Sequence, residues 1–257
     1  MTDTHTHLYF SDYGEEIGQV MQNCLKNGVT RFILPNVDLE SVSLMKDFHS
    51  KFPENTFMAM GLHPTEVKEN WKEIVDLMEK ELQTGIYIAV GEIGMDLYWD
   101  QSKKDLQKEA FERQLKFAEK FRFPVIIHSR NALEETLEIL EKTKPSVPVI
   151  FHSFTGKKED VEKIRQICDP FFGINGVVTY KNAPELREAL GMIGIDRIVL
   201  ETDAPFLTPI PHRGKRNDSS YLIYIRDKIA ETLGLPADMI EEVTDRNAEI
   251  LFPKAFT

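Results

Sequence analysis

The sequence predicts an α/β fold, a parallel (β/α)8 barrel formed by residues 1–257 as one domain. Eight short runs rich in Val, Ile and Phe alternate with longer stretches in which apolar residues recur at helical spacing. The length of 257 residues suits such a barrel, which typically needs about 250 residues. A doubly wound open sheet is the alternative. It would need a glycine-rich phosphate loop where Thr4–Leu8 stand, and that stretch has no glycine.

The predicted strands and helices follow one another along the whole chain. The first strand is the opening segment that contains His5 and His7, and the helix after it has Ile17, Val20 and Cys24 on its apolar side. The other seven strands are predicted at residues 31–36, 57–63, 86–92, 124–128, 148–152, 171–178 and 197–203. Two helices close the chain, and no linker or low-complexity tract interrupts the alternation.

The composition argues against several classes of protein but does not decide the substrate. The formal net charge of −11 argues against a general nucleic-acid binder, because non-specific affinity for phosphates needs a basic surface. Neither the roughly 18 apolar residues of a membrane span nor a secretion signal is present in the sequence. Cys24 and Cys168 are too far apart for a paired-thiol metal motif and predict free thiols. We expect a cytoplasmic protein without membrane contact or obligate protein partner, compatible with a monomer.

Candidate metal ligands are concentrated at the ends of the predicted strands. In a parallel barrel the C-terminal strand ends meet on one face, where the active site is built. The seven residues at or beside these ends are His5, His7, His63, Glu92, His128, His152 and Asp203. One isolated histidine is more often a structural residue, but the shared placement of all seven predicts a metal site.

The strand order divides the ligands into two sets around Glu92. The first and eighth strands are adjacent where the barrel closes, which brings together His5, His7 and Asp203. The fifth and sixth strands supply His128 and His152, and Glu92 on the fourth strand can reach both sets. We expect two divalent cations, about 3.5–4 Å apart, that would reduce the net charge to −7. Zn, Mg, Mn, Ni and Co are the candidates, and the mixed ligands favour the transition metals without selecting one.

Several motifs in a fixed order give this chain a resemblance to the TatD-type metal-dependent deoxyribonucleases, a branch of the amidohydrolase superfamily. The motifs span nearly the whole chain: DTHTHL at 3–8, GLHP at 61–64, GEIGMD at 91–96, IHSR at 127–130, HSFTG at 152–156, ETDAPFL at 201–207 and RGKRN at 213–217. The chain departs from the family where Asp218-Ser219 replaces the usual Glu-Pro.

The resemblance implies a fold, a set of metal ligands and an activity. The fold is a TIM barrel. One metal would be held by His5, His7, Glu92 and Asp203, and the second by Glu92, His128 and His152. The family is also implied to be nucleolytic, including 3′-to-5′ exonuclease action on DNA, which is the expected substrate.

The catalytic hypothesis is hydrolysis of a phosphodiester by a metal-activated water. Glu92 would bridge the ions, and Asp203 would orient or deprotonate the water. His63 is assigned either to the scissile phosphate, to a further ion or to a structural hydrogen bond. Basic residues of the loops after strands five, six and eight predict a rim that binds phosphates: Arg130, Lys157, Arg213, Lys215 and Arg216. In the same region Phe154 and Phe206 are candidates to stack an unpaired base, or to pack.

Two other functions compete with the nuclease. The same barrel and ligands serve metallohydrolases that act on a small amide, lactone or phosphoester. A non-catalytic metal-binding protein is the third hypothesis, and the complete open site argues against it. The RGKRN segment favours the nuclease over the small-molecule enzyme, mainly through the resemblance.

Overall fold

A computed structural model describes all 257 residues of the chain. Eight parallel strands pair in sequence order to form the sheet of the barrel. They are β1 (Thr2–Asp3), β2 (Arg31–Pro35), β3 (Thr56–Met60), β4 (Tyr87–Asp96), β5 (Val125–Arg130), β6 (Val149–Phe151), β7 (Phe171–Ile174) and β8 (Ile198–Leu200). The barrel closes between its ends because the backbone N–H of Thr4 donates to the carbonyl of Leu200 at 2.9 Å. The predicted (β/α)8 barrel is confirmed.

Nine α-helices accompany the strands. They are α1 (Ile17–Lys26), α2 (Leu39–Lys51), α3 (Trp71–Leu82), α4 (Lys104–Phe121), α5 (Leu133–Thr143), α6 (Lys158–Ile167), α7 (Pro184–Ile193), α8 (Leu222–Leu233) and α9 (Ala237–Leu251). No helix is both long enough and apolar enough to cross a membrane. Both cysteines are free: Cys24 is buried on α1, and Cys168 is half-buried directly after α6.

Alternate residues of each strand belong to different apolar layers. In β2, Phe32 and Leu34 pack with the helices in the larger core cluster, whereas Ile33 belongs to a smaller cluster. That smaller cluster contains residues of most of the strands and also Leu251 and Phe252 near the C-terminus. The strand residues include Ala59, Ala89, Ile126, Ile150 and Val199. We infer that it fills the barrel interior, because side chains alternate between the two faces of a strand.

The strands differ from the predicted bounds at several ends. β3, β6, β7 and β8 end earlier than predicted, at Met60, Phe151, Ile174 and Leu200, so that His63, His152 and Asp203 lie just after their strands. β1 has only two residues, so the prediction that His5 and His7 lie in a strand is wrong. The chain leaves the sheet there because the buried carboxylate of Asp3 accepts from the N–H of His5 at 3.3 Å and of Thr202 at 3.0 Å. β4 is instead longer than predicted and continues past Glu92 to Asp96.

A bulge in β4 lies at Glu92. Val90 pairs with Val125 and Ile93 with Ile127, so β4 holds one residue more than β5 between these pairs. Bulges of this kind redirect a side chain and are frequent beside active sites. Two residues later Gly94 has φ 139°, and a Cβ there would lie 2.0 Å from the carbonyl oxygen of His128. A glycine is therefore needed for β4 to resume its pairing with β5.

Helix α4 fixes the end of β4 through a buried glutamine. The amide of Gln107 accepts from the N–H of Asp96 at 2.9 Å and donates to its carbonyl at 3.0 Å. We expect Gln107→Met to lower the free energy of unfolding by about 2–4 kcal/mol, because two buried backbone groups lose their partners. Urea titration followed by circular dichroism measures the change. Gln166→Met, at an exposed position of α6, is the control and should stay within about 0.5 kcal/mol of wild type; equal stability of both variants would contradict this account.

Candidate metal centre

A cavity of about 830 Å³ opens at the C-terminal ends of the strands. Its size is within the usual range of ligand pockets, about 300–1,000 Å³. Six of the seven predicted strand-end residues line it: His7, His63, Glu92, His128, His152 and Asp203. The seventh, His5, is fully buried beneath them. The structure therefore brings together every ligand candidate that the sequence placed at a strand end.

The carboxylate of Glu92 lies between two groups of histidines. Its Oε2 is 3.1 Å from Nε2 of His5 and 3.9 Å from Nε2 of His7. Its Oε1 is 2.7 Å from Nδ1 of His128, and 3.5 Å from Nε2 of both His63 and His152. Each oxygen of one buried carboxylate thus faces its own set of imidazoles.

The hydrogen bonds of His7 fix which ring nitrogen faces the cavity. Its Nδ1 lies 3.0 Å from the hydroxyl of Tyr9, which itself donates to the carbonyl of Pro35 at 2.5 Å. The Tyr9 oxygen therefore accepts from Nδ1–H, and Nε2 of a neutral His7 presents a lone pair. That lone pair points to Glu92 and, at 3.6 Å, to Oδ1 of Asp203. The same orientation is the one that a metal-binding imidazole needs.

His128 and His152 are each held by a second carboxylate. Nε2 of His128 is 3.0 Å from Oδ2 of Asp96, which leaves its Nδ1 facing Glu92. Nδ1 of His152 is 3.1 Å from Oε1 of Glu201, a charge contact without the alignment of a hydrogen bond. Carboxylates in this position orient metal-binding histidines and raise their basicity.

The carboxylate of Glu201 occupies space that a glycine leaves free. A Cβ at Gly173 on β7 would lie 2.0 Å from Oε2 of Glu201. The other oxygen, Oε1, also accepts from the N–H of Ser153 at 2.6 Å. Glu201 is therefore built into the wall behind His152, and does not itself line the cavity.

His63 presents a donor to the cavity. Its Nδ1 accepts from the backbone N–H of Thr65 at 3.2 Å and lies 2.7 Å from the Thr65 hydroxyl. In a neutral imidazole the proton is then on Nε2, which is 3.3 Å from His128 and faces Glu92. His63 therefore differs from His7, whose Nε2 presents a lone pair.

Asp203 is held in a strained conformation by the RGKRN segment. Its φ is 56°, in the left-handed region that few residues other than glycine adopt. Its backbone N–H donates to the carbonyl of His5 at 2.9 Å. On either side, Nδ2 of Asn217 donates to the carbonyls of Thr202 at 3.0 Å and Phe206 at 2.6 Å. These bonds fix the turn that directs the Asp203 carboxylate toward the histidines.

At Glu92, Asp203 and His152, burial shifts the pKa in one direction and the neighbouring charges shift it in the other. Burial raises the pKa of Glu92, but His152, His5 and His63 hold it well below its ordinary value. Burial similarly opposes ionisation of Asp203, but the nearby histidines lower its pKa. Burial lowers the pKa of His5. For His152, Glu201 and Glu92 overcome the effect of burial and raise the pKa to about 10.

The donor set fits divalent metal ions. At the base of the cavity are two groups in which all ligand atoms are within 4.8 Å of one another, His5–His7–Glu92 and His63–Glu92–His128. A third group, His5–His152–Glu201, lies behind them. Both ring nitrogens of His5 are fully buried without an aligned hydrogen-bond partner. A buried polar atom without a partner is costly, and an ion near Nε2 would satisfy it.

The motif-based resemblance is confirmed by comparison with known families. A family model described as TatD related DNase matches residues 2–253 of this chain. The chain belongs to the TatD-related DNase family. This TatD-family chain is 34% identical over 251 residues to YabD of Bacillus subtilis, which is described as an uncharacterized metal-dependent hydrolase. The alignment covers 97% of this chain and 98% of YabD. It is 28% identical over 256 residues to YcfH of Escherichia coli, covering 98% and 95% of the two chains.

Solved structures support the same membership. The crystal structure of YJJV, a TatD homolog of Escherichia coli, superposes with a TM-score of 0.91 at 25% identity and covers 98% of both chains. A TatD-family hydrolase from Entamoeba histolytica superposes with a TM-score of 0.86 at 20% identity, covering 98% of this chain and 97% of that one, which shows the shared fold.

Among the basic residues predicted to bind substrate, only Arg130 lines the cavity. Its guanidinium lies 3.9 Å from the ring centre of Tyr98. Outside the cavity, Arg213 lies over the ring of Tyr180 at 4.4 Å, and Lys157 and Lys215 are exposed. Arg216 pairs with Glu16 and donates to the carbonyl of Asp12 at 2.5 Å. The phenyl ring of Phe154 is buried, whereas Phe206 is exposed on the cavity wall.

Sequence reasoning missed several of the residues that support the candidate ligands from behind, although Glu201 was expected to support a ligand rather than to bind metal. Asp3, Tyr9 and Asn217 were not predicted as site residues, although Asp3 and Asn217 stand within the motifs that carry the family resemblance. Burial raises the pKa of Asp3 to about 7 despite hydrogen bonds from Ser219 and Thr202. The available signal was that buried polar residues need partners, but those partners lie up to 199 positions away in the chain.

We expect Glu201→Gln to weaken the binding of divalent cations by about 10- to 100-fold, because His152 loses the charge that orients and polarises it. Competition with a chromophoric chelator measures the affinity, and thermal unfolding verifies that the variant is folded. Glu159→Gln, at an exposed position of α6, is the matched control and should bind like wild type. Unchanged affinity in a folded Glu201→Gln protein would show that this carboxylate has no role in metal binding.

Proposed function

We propose that this chain is a dinuclear metal-dependent nuclease that hydrolyses phosphodiester bonds of DNA, acting from the 3′ end of an unpaired strand. The observation that carries the proposal is the position of Glu92, whose two oxygens face separate groups of histidines at the base of an open cavity. Family membership supports DNA as the substrate. The Arg130 guanidinium on the cavity wall supports a substrate with negative charge.

The proposed ligand sets follow the family resemblance, and the distances to Glu92 are compatible with them. One ion would be held by His5, His7, Glu92 and Asp203, and the other by Glu92, His128 and His152. Two divalent ions, when bound, would activate a water and offset the charge of the phosphodiester. Imidazole and carboxylate donors suit Zn, Mn, Ni and Co, whereas Mg would use mainly the oxygens. The carboxylates Asp96 and Glu201 would keep His128 and His152 in position.

Asp203 and His63 are proposed to move or donate protons. The low pKa of Asp203 leaves its carboxylate ionised, so that it can orient the attacking water and accept its proton. The Nε2–H of His63 faces the same space and can donate to an oxygen of the phosphate. That oxygen gains charge as the bond breaks, so a fixed donor stabilises the transition state.

The basic residues are proposed to act in two ways, by direct contact with a phosphate and by attraction of the strand from a distance. Arg130 would contact a phosphate directly, since its stacking on Tyr98 fixes its position on the wall. Lys157, Arg213 and Lys215 would attract the strand from the exposed rim. Arg216 is also proposed to act there, and its pairing with Glu16 joins the rim to the segment before α1.

We expect Asp203→Asn to lower kcat by about 10²- to 10⁴-fold, because the amide cannot accept the proton of the water. Glu92→Gln should also lose activity, because it weakens the ligand shared by both ions. The assay follows 3′- and 5′-labelled single-stranded DNA with Mg, Mn or Zn, and with EDTA as a metal-free control. Metal-dependent shortening from the 3′ end supports the proposal. A folded wild-type protein with bound metal and no cleavage under any condition would refute it and favour a small-molecule hydrolase.

We expect Arg130→Gln to raise KM for single-stranded DNA by about 10- to 150-fold, because a charged hydrogen bond to phosphate contributes roughly 1.5–3 kcal/mol. It should also reduce the salt dependence of log K by about 0.7, the value for one phosphate on a single strand. Arg165→Gln is the control, since Arg165 is an exposed residue of α6 whose guanidinium donates to the carbonyl of Met192. A salt slope identical in both variants would assign Arg130 to the support of Tyr98 alone.

A further inference from the structure

The exposed aromatic side chains of this protein are confined to the mouth of one cavity. Only three aromatic residues are exposed: Tyr98 at 51%, Trp99 at 70% and Phe206 at 53%. All three line the cavity that contains the candidate metal ligands. Scattered exposed apolar residues are ordinary, but large rings gathered at one site mark a surface that binds something apolar or aromatic.

The rings form two walls on opposite sides of the barrel mouth. Tyr98 and Trp99 follow β4, and Phe206 follows β8, which is four strands away in the closed sheet. On the first wall Arg130 lies 3.9 Å from the centre of Tyr98 and 5.4 Å from that of Trp99. Arg130 thus covers Tyr98 more closely, while the Trp99 ring is mostly exposed. The candidate ligands lie between the two walls.

Each wall is joined to a candidate metal ligand. The ring of His7 stacks on Phe10 at 4.8 Å, and Phe10 meets Phe206 edge-on at 6.4 Å. On the other side, Oδ1 of Asp96 accepts from the N–H of Tyr98 at 3.0 Å, while its Oδ2 contacts His128. The aromatic walls are therefore held in a fixed relation to the reacting centre.

We propose that Trp99 and Phe206 form two base-stacking subsites that select an unpaired strand, with one nucleobase on each side of the scissile phosphate. This inference rests on the proposed nuclease function and names its substrate class as single-stranded ends of at least two nucleotides. Every base has a π-face, so stacking tolerates sequence. A paired duplex cannot offer its bases in this way, because they are already stacked within the helix.

The two tryptophans of the chain give a direct readout of one subsite. Trp71 is buried at 4%, and Trp99 is the other. In a Trp71→Phe background, the fluorescence emission would come from Trp99 alone. Stacking of a base on Trp99 should quench this emission and protect it from acrylamide.

The test compares two dye-labelled pentanucleotides of equal charge, oligothymidylate and an abasic phosphodiester chain. Binding is measured by anisotropy with Mn in the Asp203→Asn protein, in which the strand is cut too slowly to change during the measurement. We expect thymidylate to bind about 5- to 150-fold more tightly. Trp99→Ala and Phe206→Ala should each remove much of that difference, while Leu77→Ala, an exposed position of α3, leaves it unchanged.

The outcomes separate this inference from the nuclease function. Equal binding of both probes, in a protein whose wild type digests DNA, would overturn base stacking and leave the nuclease standing. A preference for thymidylate that survives either alanine substitution would overturn the two-walled arrangement. Failure to bind either probe, together with no digestion by wild type, would overturn both proposals. A thymidylate preference lost in both variants and matched by Trp99 quenching supports the inference.

Discussion

The carboxylate of Glu92 is the group on which the rest of the site depends. Its side chain is only 4% exposed, and a buried charge is unfavourable without compensating partners. The compensation comes from histidines delivered by the loops and ends of β1, β3, β5 and β6. The bulge in β4 directs Glu92 to the point where these imidazoles meet. Closure of the barrel is thus what makes an ionised Glu92 tolerable at this depth.

The ligand candidates could be predicted from sequence because strand ends in a parallel barrel converge whatever the details of each strand. This explains why His5 and His7 were identified although the predicted strand around them is absent. In the structure they are held instead by two hydrogen bonds, from the His5 N–H to the Asp3 carboxylate and from the His7 ring to the Tyr9 hydroxyl. Strand alternation thus predicted that the two rings would share a direction, for a reason that does not apply to residues outside the strand.

The supporting residues could not be predicted in the same way, because their partners are distant in the chain. The RGKRN segment, residues 213–217, illustrates the difference. Its charges suggested a phosphate-binding rim, but the residue of this segment that hydrogen-bonds on both sides of Asp203 is the neutral Asn217. Arg216 turns away to Glu16. Like charges in a sequence carry no information about which of them will find a partner after folding.

The charge of the protein makes metal and substrate binding interdependent under the proposed function. The chain carries a net charge of −11. Of the five basic residues predicted to bind substrate, only Arg130 lines the cavity. A phosphodiester strand must therefore find most of its attraction in the two divalent ions. Binding free energies are reciprocal, so whatever affinity the ions add for DNA, DNA must add for the ions. An acidic protein can in this way restrict its affinity for nucleic acid to the metal-loaded state and to the one cavity where hydrolysis occurs.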